Sequence, residues 1–109
     1  MKQRVAMLVH PDDNVLCAIE NIEQGEQAYV ALANEGVTAN EFIKQGHKIA
    51  RREIKKGDPV VKYGTTVGLA KCDIHKGDWV HDHNELLASF LVNYSDDIAS
   101  EMTKHFLSL

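Results

Sequence analysis

Short apolar runs broken by glycine-centred corners dominate the first 84 residues. Three of these corners share one form, Ala-x-x-x-Ile-x-x-Gly-acid: residues 18–26, 50–58 and 70–78. Glycine is the residue best suited to a corner that reaches positive φ. The polar pairs before it (Glu23-Gln24, Lys55-Lys56 and His75-Lys76) suit the exposed face of a type I turn. The isoleucine, four residues after the alanine, points inward and anchors the corner. Runs of β-formers follow the second and third copies at residues 59–63 and 79–81. Each copy therefore predicts a strand, a tight turn and a return strand. A helix is excluded, because glycine, and proline in the second copy, interrupt every segment within two turns.

Residues 60–70 contain two β-rich runs around Gly64-Thr65-Thr66 and predict a further hairpin. The alanines are 32 and 20 residues apart, at 18, 50 and 70, which argues against a stacked solenoid and for an irregular β-fold. A long excursion lies at residues 31–46, where 37–42 adds a strand or short turn. From Asn84 onward the pattern changes. Residues 85–92 and 96–109 are rich in helix formers, and Ile98, Met102, His105, Phe106 and Leu109 make an apolar stripe with Ser95 or Asp96 as N-cap. The expected architecture is a mainly β domain over residues 1–84 and a helical C-terminal extension over 85–109. That stripe needs a surface to pack on, either the domain's own sheet or another chain.

With 109 residues, 44% hydrophobic and 26% charged, the chain has the make-up of one ordinary globular domain. Its net charge of −4 gives no general attraction to nucleic acid or to an anionic membrane. The basic cluster at 48–56 is flanked by acids and reads as a solvated edge and turn. The N-terminus lacks the pattern of a signal peptide, and no run approaches the roughly 20 apolar residues of a membrane span. Cys17 and Cys72 lie apart beside apolar residues, as buried free thiols of a reducing compartment would, so the expected location is the cytoplasm.

Six histidines are the chemical signal. His81 and His83 are two apart, and on a strand they would face one side, towards one metal ion or one anion. Two imidazoles fall short of the three or four ligands of a metal site. His10, with Asp13 and Asn14, also fits an Asx-type turn closing the first strand. Lys62-Tyr63 fits a hairpin edge with Tyr63 over the core. His75 and His105 read as surface residues, and Trp79 as a core or interface aromatic. A Ser-His-Asp order, a phosphate-cradling glycine loop and paired catalytic carboxylates are all missing. The residues alone give a β-domain with one polar, histidine-rich edge.

The order His10-x-x-Asp13-Asn14-Val15, Gly46-His47-Lys48-Ile49-Ala50, Ile54-x-x-Gly57, Lys62-Tyr63-Gly64, Val67-Gly68, Asp73-Ile74-x-x-Gly77 and Val80-His81-x-His83-Asn84 resembles the N-terminal domain of altronate dehydratases. The same domain forms the small subunit of (2R)-sulfolactate sulfo-lyase and, more distantly, the front of galactarate dehydratase. It is an SAF domain with a β-clip fold, and the resemblance covers residues 5–84. It implies a lyase of the hydro-lyase or sulfo-lyase type, acting on a hydroxy acid and inactive without a much larger subunit or a missing C-terminal domain. It also implies a divalent metal, iron in the family. The residues it implies are His47 and His81 as catalytic groups, Lys62, Tyr63, His10 and Asn14 at the substrate, and His81 and His83 at the metal. A homo-oligomer is left open. The alternatives are a non-catalytic module that binds a carbohydrate acid, and an assembly role like that of SAF domains in surface appendages.

Overall fold

The computed structural model describes residues 2–87, and over them the chain is mainly β. The strands are β1 (Gln3–Met7), β2 (Val15–Ala18), β3 (Gln27–Val30), β4 (Glu35–Thr38), β5 (Lys48–Ala50), β6 (Pro59–Lys62), β7 (Thr65–Ala70), β8 (Trp79–Val80) and β9 (Glu85–Leu87). A 3₁₀ turn at Ala31–Ala33 joins β3 to β4. Six strands form one sheet in the order β4-β3-β1-β2-β5-β8, and β6, β7 and β9 form another. All neighbours are antiparallel except β1 and β3.

The repeat organises this fold, but its copies do not fold back on themselves. β2 and β3 flank the first copy, yet β1 lies between them. Each copy instead satisfies its backbone groups on another copy. The isoleucines exchange both amide hydrogen bonds, Ile54 with Ile74 at 2.7 and 2.8 Å, and Ile22 with Ile43 at 2.8 and 2.9 Å. Ile43 belongs to a fourth copy, Ala39 to His47, which starts inside the excursion at 31–46 and ends one residue past it. The reciprocity extends outward. Gly25 N–H donates to Ala39 O and Gly46 N–H to Ala18 O, just as Gly57 donates to Ala70 and Gly77 to Ala50. Two interlocked pairs result, and each fills its own core. Ala18, Ile22, Ala39 and Ile43 lie in one cluster. Ala50, Ile54, Ala70 and Ile74 lie in the other.

The corners are type II turns, not the expected type I. In the first, Glu26 N–H bonds Glu23 O at 3.0 Å and Gly25, at the third position, has φ +88°. A positive φ at that position defines type II. The hairpin of β6 and β7 forms as expected, but its corner is Tyr63-Gly64, with Thr65 and Thr66 already in β7. Residues 85–87 are a strand paired with β7, not the start of a helix, because Leu86 and Leu87 complete a ladder against Leu69 and Gly68. The rest of the expected helical extension lies outside the described residues. Cys17 is half-buried and Cys72 exposed, both free, so only the free-thiol part of that expectation holds. No helix of the described residues is long and apolar enough to cross a membrane.

Candidate functional site

β5 and β8 pair with Lys48 opposite Val80 and Ile49 opposite Trp79. Extending that antiparallel register by one step sets His47 opposite His81, with Trp79 diagonal to His47 on the same face. The rings meet there. His47 and His81 stack with centroids 4.6 Å apart, and Trp79 and His81 at 5.3 Å with planes only 12° apart. His47 lies 5.7 Å from Trp79, and His83 tilts onto the indole at 4.7 Å. The Trp79 indole N–H donates to His47 Nδ1 at 3.0 Å. Burial pushes the His47 imidazole below its ordinary pKa, and the like charges of His81, Lys44 and Lys48 act in the same direction.

Residues 81–84 are a turn rather than a strand, so His81 and His83 do not share a strand face as expected. Asn84 makes that turn. Its Oδ1 accepts the His81 N–H at 2.9 Å and its Nδ2 donates to Trp79 O at 2.8 Å. The two imidazoles both reach Trp79 all the same. Among the described residues no group of three or more His, Cys, Asp or Glu side chains could hold a metal ion. The described residues therefore do not amount to a metal centre.

A second group gathers at the opposite end of β2. The Asp13 carboxylate is fully buried and accepts three backbone N–H groups, from His10 and Tyr63 at 3.1 Å and from Gly64 at 2.8 Å. Asp13 closes the first strand by accepting the N–H of His10, three residues before it, rather than through the expected Asx-type bond to a residue two ahead, and it also locks the β6–β7 corner. Tyr63 is held at φ +60° and is 61% exposed, so it does not cover the core. The Lys62 ammonium sits 4.8 Å from its ring centroid. The His10 ring packs on Gly64, where a Cβ would lie only 2.9 Å from it. Asn14 is buried, donating to Pro59 O and accepting from Val61 N–H, both at 2.8 Å, so its amide fastens β6 to β2. The Asn84 amide acts locally, bridging residues 79 and 81 at the end of β8.

The expected site residues thus fall into two groups. His47 O accepts the N–H of Ala18, whereas Asp13 and Asn14 precede Val15 at the other end of β2. Asn14 to Ala18 is four residue steps, about 13 Å at a strand's rise. Sequence reasoning missed Trp79 as the centre of the histidine cluster. The available signal was its spacing of two from His81 on a β-former run.

Comparison with known proteins places these residues in a family. The family described as "Altronate/galactarate dehydratase SAF domain" matches residues 4–86. The altronate dehydratase of Bacillus subtilis is 41% identical over 76 residues, which cover 70% of this chain and 15% of that enzyme. The altronate dehydratase of Escherichia coli is 40% identical over the same shares. The (2R)-sulfolactate sulfo-lyase subunit alpha of Paracoccus pantotrophus is 42% identical over 48 residues, 44% of this chain and 72% of that subunit. The chain therefore spans less than a sixth of the dehydratases it matches and most of the sulfo-lyase subunit.

Proposed function

The chain belongs to the altronate/galactarate dehydratase SAF domain family, and we propose that it supplies the SAF portion of a hydroxy-acid lyase whose larger part lies on a partner chain or in a longer protein. The observation that carries this reading is the gathering of His47, His81 and His83 around Trp79 on one half-exposed face. Both kinds of relative bear lyase names. The sulfo-lyase relatives are named as alpha subunits.

Elimination from a hydroxy acid removes the proton beside the carboxylate. The C–H pair becomes the new C=C bond as the bond to the leaving group breaks. Water leaves as hydroxide that takes up a proton, or sulfite leaves with the C–S pair. Imidazoles suit both proton transfers near neutral pH. In this reading one of His47 and His81 accepts the carbon-bound proton and, as an imidazolium, returns it to the departing hydroxide, while the other donates a hydrogen bond to a carboxylate or leaving-group oxygen. His83 covers the indole face and helps exclude water. A divalent cation such as iron would add Lewis-acid stabilisation of the enediolate, but the described residues do not fit such a centre, and no step here runs through one.

The test is to isolate the tagged chain from its native cells with whatever it binds and to assay the isolate with altronate and with sulfolactate. The expected result is a partner of several hundred residues and turnover of one acid. His47→Ala and His81→Ala should each lower that turnover by about 10²–10⁴-fold, the usual contribution of acid–base catalysis. Unchanged turnover in both variants would overturn the assignment. A second reading, a module that only holds a carbohydrate acid, draws on the other group. There Lys62 has no ion-pair partner among the described residues and Tyr63 is presented to solvent. Binding of the acid without a partner and without turnover would support it.

A further inference from the structure

One indole organises three imidazoles, and its single polar atom has a definite chemical consequence. Trp79 Nε1 is a donor only. Its partner is His47 Nδ1, 3.0 Å away, so that nitrogen must present a lone pair. In a neutral imidazole the proton then resides on Nε2. Residues on two elements hold the geometry in place. Ile49 opposite Trp79 fixes the backbone register of the two rings. Asn84 bonds Trp79 O and His81 N–H, on either side of Val80, and so fixes the turn that follows. The indole is half-buried against the first core, which restricts its rotation.

We propose that Trp79 is the positioning residue of this site: its N–H holds His47 in the tautomer with the proton on Nε2, so that His47 meets a ligand as a neutral hydrogen-bond donor and not as a base. The role at a substrate rests on the lyase reading above, whereas the tautomer does not. Within the His47–His81 pair, His47 is then the group that donates to a carboxylate or leaving-group oxygen. The class of ligand atom at His47 is an oxygen acceptor, not an acidic C–H.

The tautomer is measurable on the full chain alone, by ¹⁵N NMR of the histidine side chains at a pH where they are neutral. His47 should show a protonated Nε2 and an unprotonated, hydrogen-bonded Nδ1. A protonated Nδ1 would overturn the proposal, and that reading needs no variant. The chain has one tryptophan, so its indole N–H gives a single signal. Loss of one neutral hydrogen bond in His47→Phe should speed exchange of that proton about fivefold. His83→Phe should leave it unchanged. Trp79→Phe keeps an aromatic ring but no donor, and should admit the Nδ1-protonated tautomer to a measurable fraction. Equal indole exchange in the parent chain and His47→Phe would also overturn the proposal. None of these outcomes depends on a partner or on turnover, so a failed lyase assay and a failed tautomer assignment are told apart.

Discussion

Tyr63 and Asp13 show what single residues contribute here. A non-glycine residue in the left-handed region costs about 1–2 kcal/mol, and Tyr63 stays there because Asp13 accepts its N–H and those of two other residues. Tyr63→Gly relieves that strain at a smaller cost in unfolded-state entropy. It should raise stability by up to about 1 kcal/mol in urea denaturation. Asp13→Asn has the opposite sign, since the amide puts an NH₂ where an acceptor is needed. Leaving buried N–H groups unpaired costs about 1–3 kcal/mol each, so a loss of about 3 kcal/mol is expected in the same measurement. His47 sets a pH dependence. Its folded pKa is depressed, so the unfolded chain binds the proton more readily. Its contribution is fully present above the unfolded value of about 6.5 and is lost as pH falls below that value and through the folded one. The unfolding midpoint measured between pH 8 and 5 should fall on the acid side, and less steeply in His47→Gln.

At the scale of elements, the four corners carry the same glycine in different surroundings, which separates strain from crowding. A Cβ on Gly25 meets nothing within 4 Å, whereas one on Gly77 would collide with the Thr38 carbonyl oxygen and crowd Asn40. Gly25→Ala should therefore cost only the left-handed strain, about 1–2 kcal/mol, and Gly77→Ala clearly more, as read from their thermal midpoints. The strands and corners were legible because alanine, isoleucine and glycine hold fixed places in the repeat. The fourth copy was hidden by one residue, since His47 stands where the others carry an acid. Pairing between copies was not legible either. A repeat shows that units are alike, while the choice between folding back and crossing over depends on where distant backbone groups find partners. Residues 85–87 carried helix formers by composition, and the open edge of β7 overrode that preference. For the site, the sequence held the histidines but not their separation from Lys62 and Tyr63, which follows from β2 running between the two groups.

Across the whole molecule, the two sheets are tied by Lys48 of β5 and Glu85 of β9, 3.0 Å apart with Glu85 almost fully buried. Removing one partner from such a pair strands the other charge, which costs about 3–5 kcal/mol in a dry interior. Lys48 keeps some solvent access, so Lys48→Met should destabilise by about 3 kcal/mol. Adding Glu85→Leu should recover much of it, as a double-mutant cycle in urea would show. The interlocked pairs have a further consequence. The connection between the first and fourth copies runs over the fully exposed Leu32, yet Gly25 bonds Ala39 and Gly46 bonds Ala18 across it. β3 and β4 also pair across that connection. A protease that nicks the backbone at Leu32 would sever the polypeptide without separating its halves. The product should run as two fragments on a denaturing gel and as one species in gel filtration, so the domain tolerates a broken chain where a simple hairpin would fall apart.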